Sequence, residues 1–190
     1  MVKKGRALHD HVAAGILESA AVAFAERGEA VPMAEIARAA GVGRATLYRY
    51  FPTRHALLQG LAEAGVEELR ERIADAELDT TPVQEGIARL TRGVVAAGSK
   101  YAVLAQAGKK HVEDAAEFDR RINQPVRDLL RRGIDDGSLR DDLPADVLFA
   151  MYTGLLEKAL QLVIREQFGV ERASASAVSV FLDGAGSHRQ

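Results

Sequence analysis

Apolar residues recur at intervals of three and four along almost the whole of this chain, and that period admits helices and little else. Ile16, Ala20 and Phe24 fall at i, i+4 and i+8, with Ala13 and Leu17 beside them, so a first helix is expected over residues 7–27. Gly28 supplies its left-handed stop. Runs alternating Val, Ile or Thr with polar residues, the mark of strands, are nearly absent. Hydrophobic residues fill 47% of the 190 positions, enough for a substantial core. The expectation is an all-α chain.

Pro32 can open a short second helix over 33–40, where its missing N–H costs little, with Ile36 and Ala37 facing inward. Gly41-Val42-Gly43 reads as a turn and 44–50 as a third helix. Phe51-Pro52-Thr53 breaks the pattern, and Thr53 can N-cap a fourth helix towards residue 78 that carries Leu57, Leu58, Leu61 and Leu69. A fifth helix is expected over 83–97, ended by Gly98-Ser99. A sixth apolar piece lies near 101–107, followed by a polar stretch over 108–114. The helical pattern resumes at 115 and is bent or restarted at Pro125, with Asn123 as a candidate cap. Pro144 starts a long penultimate helix to about residue 168. One of its apolar stripes is Leu148, Tyr152, Leu155, Ala159 and Leu162; the other is Phe149, Leu156, Leu160 and Ile164. Two stripes imply burial on two sides, and the Leu156–Leu160 stripe is expected to face a partner subunit. The last helix, over 172–182, carries small residues at Ala173, Ser174 and Ala177. The tail 184–190 is expected to be disordered. The total is about nine helices.

Several classes of function are disfavoured. The chain has no cysteine, so it offers no disulfide, thiol nucleophile or zinc-cysteine site and suits a reducing cytoplasm. Its charged first residues lead into no apolar segment of signal-peptide type. The longest apolar stretch, 147–164, is interrupted by Glu157-Lys158, so no membrane span is expected. His9 and His11, His55, and His111 with Glu113 and Asp114 read as solvated polar groups rather than metal ligands. Asp141-Asp142 reads as a turn. No Ser-His-Asp order, G-x-S-x-G, HExxH or phosphate-binding glycine loop occurs. No enzyme activity, cofactor or metal is expected.

The formal net charge is −2, but it is unevenly placed. Residues 1–54 hold eight Lys/Arg against five Asp/Glu, and the remainder holds 17 against 22. A basic head on an acidic body is what local phosphate binding requires. Within that head, residues 36–51 read as two short helices joined by a glycine turn, the helix-turn-helix arrangement. Ala37 and Ala40 allow a close crossing, and Gly41 suits a positive φ. Val42, Leu47 and Phe51 anchor the second helix. Arg44, Ala45, Thr46, Tyr48, Arg49 and Tyr50 are left outward, a surface suited to phosphates and base edges.

Ile36-Ala37, Ala40-Gly41-Val42, Thr46-Leu47-Tyr48, Tyr50-Phe51, Arg54 and Leu57-Leu58 together resemble the DNA-binding signature of the tetracycline-repressor family over about residues 12–60. Gly43, Ala45 and Arg54 stand where that family often has serine, glycine and lysine. The resemblance implies a three-helix DNA-binding domain over 1–54 and a helical-bundle ligand-binding and dimerisation domain over 55–190. It implies that Arg44, Ala45 and Thr46 lie closest to base edges, that Tyr48, Tyr50 and Arg54 hold phosphates, and that Met33 lends its backbone N–H to one; Arg49 joins this set as an exposed cation.

The implied function is a homodimeric repressor, cytoplasmic and without a membrane, released from a double-stranded DNA operator by a small-molecule effector. Tyr101, Phe118, Met151, Tyr152 and Leu155 are the candidate pocket residues. The alternative is a DNA-binding activator or regulator whose C-terminal domain binds a protein.

Overall fold

The computed structural model describes residues 2–28, 30–101 and 115–186. Eight helices occur among them. They are α1 (Val2–Arg27), α2 (Met33–Ala39), α3 (Arg44–Tyr50), α4 (Arg54–Asp75), α5 (Val83–Lys100), α6, α7 (Ala145–Ile164) and α8 (Val170–Ala185). Helix α6 is continuous through Ala115–Phe118, a π turn at Asp119–Asn123, and Gln124–Asp135. No strand occurs among the described residues. The sixth piece expected near 101–107 lies outside them apart from Tyr101, as does the polar stretch with Lys109, Lys110 and His111. The chain divides into two compact units. One holds the described residues up to Gly65 with Lys100 and Tyr101, and the other holds Val66–Ser99 and the residues from Ala115 onward.

The first unit is built on the expected stripe of α1. Ile16, Ala20 and Phe24 are buried with Ile36 and Ala37 of α2, Leu47 of α3, and Leu57, Leu58 and Leu61 of α4. Gly28, at φ +76°, ends α1. The turn from α2 to α3 is a Schellman closure: Val42 N–H donates to Ala37 C=O at 3.0 Å and Gly41 N–H to Arg38 C=O at 3.1 Å. Gly41 takes the left-handed position of that closure, at φ +65°. Thr53 caps α4 as its sequence position implies, its hydroxyl accepting the Ala56 N–H at 3.0 Å. Gly60 lets α4 approach closely, for a Cβ there would stand 2.9 Å from the Phe51 ring.

The second unit centres on Ile87 and Leu90 of α5, Leu129 and Leu130 of α6, Tyr152 of α7 and Phe181 of α8. Three local readings change here. Gly98 does not end α5; its bare Cα admits Leu160, whose Cδ2 would be 2.9 Å from a Cβ. Asn123 does not cap a new helix. It sits at φ −80°, ψ −38° inside α6, and its amide donates to Asp119 at 3.0 Å. The helix passes Pro125 with a π turn just before it, where Gln124 N–H reaches back five residues to Asp119 C=O. The tail, expected to loosen from Gly184, stays helical to Ala185, and Arg140 N–H donates to Ala185 C=O at 2.8 Å.

The closure at Gly41 gives a direct test of the head. No atom lies within 4 Å of a Cβ built at Gly41, so Gly41→Ala acts through its positive φ alone. It should lower stability by about 1–2 kcal/mol. Gly43→Ala, at φ −68°, ψ 151°, should be close to neutral. Chemical denaturation of the two variants side by side checks this.

Candidate nucleic-acid interface

Helix α3 has seven residues, two arginines and no carboxylate. At about 100° per residue, Arg44, Tyr48, Ala45 and Arg49 share an arc of about 140°, and Leu47 lies on the other side. The burial follows that geometry: Leu47 is fully buried, whereas Arg44, Ala45, Tyr48 and Arg49 are exposed. Thr46 and Tyr50, expected outward, fall outside that arc at about 200° and 240° and are half-buried, and Tyr50 packs against the core of the unit. The Arg49 guanidinium lies 5.2 Å from the Tyr50 ring centroid. The solvent face therefore carries two cations, one phenol and a bare Ala45 between them.

Met33 is half-buried as the first residue of α2. Pro32 C=O already accepts Glu35 N–H at 2.9 Å and Ile36 N–H at 3.2 Å, while the N–H of Met33, in the first turn, has no carbonyl within the helix to reach. Arg54 is half-buried at the start of α4. Its guanidinium lies 5.1 Å from the Phe24 ring centroid and donates from Nη1 to Val31 C=O at 2.6 Å.

The five candidate pocket residues are divided between the two units. Tyr101 packs with the core of the first unit, its ring 3.3 Å from where a Gly65 Cβ would stand. Phe118 and Leu155 pack, half-buried, against the core of the second. Met151 is 62% exposed, turned away from that core on the outer side of α7. Tyr152 is core: its hydroxyl lies 2.9 Å from Thr91 Oγ1, and its ring is 5.0 Å from Phe181. Thr91 Oγ1 spends its proton on Ile87 C=O at 2.7 Å, so the phenol is the donor between the two. Burial pushes the Tyr152 phenol well above the ordinary tyrosine range, and the Thr91 bond opposes this in part. Thr91 escaped the sequence reading, although a Thr flanked at i−4 and i+4 by Ile87 and Val95 is a signal of a buried hydroxyl.

The second apolar stripe of α7, expected to face a partner subunit, makes contacts within the chain and is half-buried by them. Leu160 lies on Gly98, Leu156 packs on the core, and Arg127 of α6 covers Phe149 at 4.4 Å. By length and composition α7 could cross a bilayer despite Glu157-Lys158, so that pair does not carry the exclusion placed on it. Leu148, Tyr152 and Ala159 are buried with other helices of the unit, as in a core helix of a globular domain. Among the described residues no group of three His, Cys, Asp or Glu is placed to hold a metal.

Known proteins place this geometry. Residues 16–61, the span from α1 into α4, match the family described as "Bacterial regulatory proteins, tetR family". The HTH-type transcriptional repressor KstR2 of Rhodococcus jostii is 28% identical over 145 residues, which cover 70% of this chain and 71% of the repressor. Among solved structures, the TetR-like regulator LfrR from Mycobacterium smegmatis, in complex with proflavine, superposes with a TM-score of 0.73 at 21% identity. That match covers 91% of this chain and 96% of LfrR. The ketosteroid transcriptional regulator KstR2 of Mycobacterium tuberculosis gives 0.69 at 21% identity, covering 93% and 95%. Over its N-terminal domain, residues 16–61, the chain is thus similar to the tetR family of bacterial regulatory proteins, a class of DNA-binding transcription regulators.

The buried phenol supplies a pH test. A folded-state pKa raised above the ordinary 10.0 means that the native state favours the neutral phenol. Its stabilisation is complete below that value and is lost as pH rises above it. Tyr152→Phe should cost about 0.5–1.5 kcal/mol at neutral pH, because Thr91 keeps its own carbonyl. It should also flatten the fall in stability above about pH 10. Denaturation curves across that range compare the two proteins.

Proposed function

We propose that this chain is a ligand-responsive transcriptional repressor that binds operator DNA as a homodimer and leaves it when a small molecule binds the C-terminal region. The observation that carries the reading is the exposed face of α3, with Arg44, Ala45, Tyr48 and Arg49 held outward by Leu47, in the domain that matches the tetR family. DNA binding is assigned to residues 1–54, and effector binding with dimerisation to 55–190. The Rhodococcus relative, named a repressor, supports the sign of regulation. The neighbour solved with proflavine supports a small organic effector. Met33, Thr46 and Tyr50 flank the outward arc as further DNA contacts.

The dimer surface in this reading is the outer side of α7 and α8. Val147, Met151 and Val180 are 37%, 62% and 60% exposed there, apolar side chains turned away from both cores. A two-fold dimer sets two α3 helices about 34–36 Å apart, one turn of duplex. Helix α4 contributes residues to both units. An effector that prefers one position of α4 by a few kcal/mol shifts the spacing of the heads and lowers operator affinity.

Selecting duplexes from a random-sequence library with the purified protein tests the reading, and recovery of no preferred sequence would overturn it. On the selected duplex, log affinity should fall against log salt by about 0.9 per neutralised phosphate. Arg44→Ala separates two roles. A guanidinium paired to guanine is worth about 1–3 kcal/mol of discrimination, so the variant should lose affinity for the selected duplex and keep most of its affinity for random DNA. Parallel losses on both would make Arg44 a phosphate contact. For the dimer, Met151→Glu with Val180→Glu should give monomers in sedimentation, and an unchanged dimer would remove this face from the interface.

A further inference from the structure

Arg54 is the first residue of α4, so its cation stands at the end of the helix where the backbone dipole is already positive. Such a position favours a carboxylate, and an arginine held there needs compensation. The structure supplies it from inside the first unit. The guanidinium covers the face of Phe24, a residue of α1 that is 2% exposed, with 5.1 Å between Cζ and the ring centroid. In the same orientation Nη1 donates to Val31 C=O at 2.6 Å, in the segment between α1 and α2. The other terminal nitrogen, Nη2, is buried and makes no hydrogen bond. One nitrogen is thus covered and another already donates to a carbonyl inside the unit.

The geometry points to Arg54 as a positioning residue for DNA recognition, a strut that ties α1, the segment leading into α2, and the start of α4. Val31 is followed directly by Pro32, the N-cap of α2, and α2 is joined to α3 by the closure at Gly41. The strut therefore fixes where the first helix of the helix-turn-helix starts, and through the closure where α3 presents Arg44 and Tyr48. Only arginine has the required shape. Its planar fork stacks and donates at once, whereas a lysine ammonium placed over Phe24 is a point charge that cannot direct a fixed donor at Val31. A phosphate contact can be made by either cation, by arginine through its fork and by lysine as a point charge.

This inference rests on the DNA-binding reading above, and the experiment keeps the two apart. Arg54→Lys, Arg54→Ala and Phe24→Leu are compared with the unaltered protein on the duplex it selects and on a mixed-sequence duplex, over a range of salt. Measurements are made at a temperature where circular dichroism shows every variant folded. The strut predicts that all three variants lose affinity for the selected duplex about tenfold, the size of a lost hydrogen bond from a charged group. Affinity for mixed sequence should change much less, and the salt slope should stay at its original value. Phe24→Leu matters because it alters no charge.

Two results would overturn the strut: Arg54→Lys binding like the unaltered protein, or a slope reduced by about 0.9 per subunit in Arg54→Ala. Retained selectivity in Phe24→Leu would overturn it too. If the unaltered protein selects no duplex, the DNA-binding reading fails and takes the strut with it, an outcome distinct from the others. Should Arg54→Ala fail to fold, the Lys and Leu variants still decide.

Discussion

A seven-residue helix has no independent stability in water, because nucleation costs more than so few hydrogen bonds return. Helix α3 exists because Leu47 at its centre and Phe51 just beyond it bury against Phe24, Ile36, Ala37 and Leu57. That single anchor also determines what the helix shows to solvent. With Leu47 inward, the 100° step of the helix leaves Arg44, Ala45, Tyr48 and Arg49 on the opposite arc. The residues proposed to read DNA are thus placed by a core contact, and their own chemistry contributes nothing to holding them there. The Schellman closure at Gly41 completes the constraint by fixing how α3 leaves α2.

Much of this was legible in the sequence, for identifiable reasons. The α1 stripe of Ile16, Ala20 and Phe24 obeys a simple period. Gly28 and Gly41 mark positions where a side chain would oppose the backbone, and Thr53 is a hydroxyl at a helix start. Each is a local signal whose meaning needs few distant partners. Leu47 was also readable, as the apolar residue of a short helix that otherwise carries polar or small side chains on its open face.

Where the structure departs from the local pattern, the deciding neighbour is in some cases far away in the chain and in others a local change of helix geometry. Gly98 looks like a helix stop until Leu160, about sixty residues on, is seen to need the space. Asn123 and Pro125 read as a restart because proline normally breaks the hydrogen-bond ladder, yet one π turn lets α6 continue. Arg54 reads as a surface cation because charge alone predicts exposure. Its long side chain can instead stack on an aromatic ring and reach a carbonyl, which the carbonyl's place in the fold decides. Tyr152 and Met151 are adjacent in sequence and both suited to a pocket, but one helical step turns the first into the core and the second out of it.

The same step explains the composition of α7. Leu148, Tyr152, Leu155 and Ala159 fall on one arc and fill the core, and Phe149, Leu156 and Leu160 fall on the next and pack on neighbouring helices. Val147, Ala150, Met151 and Gly154 remain on the third side with Glu157 and Lys158. A helix that spent its apolar residues only on its own chain would carry charge along that whole third side. Here the first half of the outer face is apolar, only the second half is charged, and only 17% of the helix's most apolar stretch is buried in the chain. Ala150 and Gly154, one helical turn apart, are small enough to let another helix approach closely. No atom lies within 4 Å of a Cβ built on Gly154, so this glycine relieves no contact within its own subunit. An apolar outer face with a small-residue notch is costly to a lone helix in water and useful against a second subunit, the same economy by which Leu47 makes α3 possible: burial at one place sets what is displayed at another.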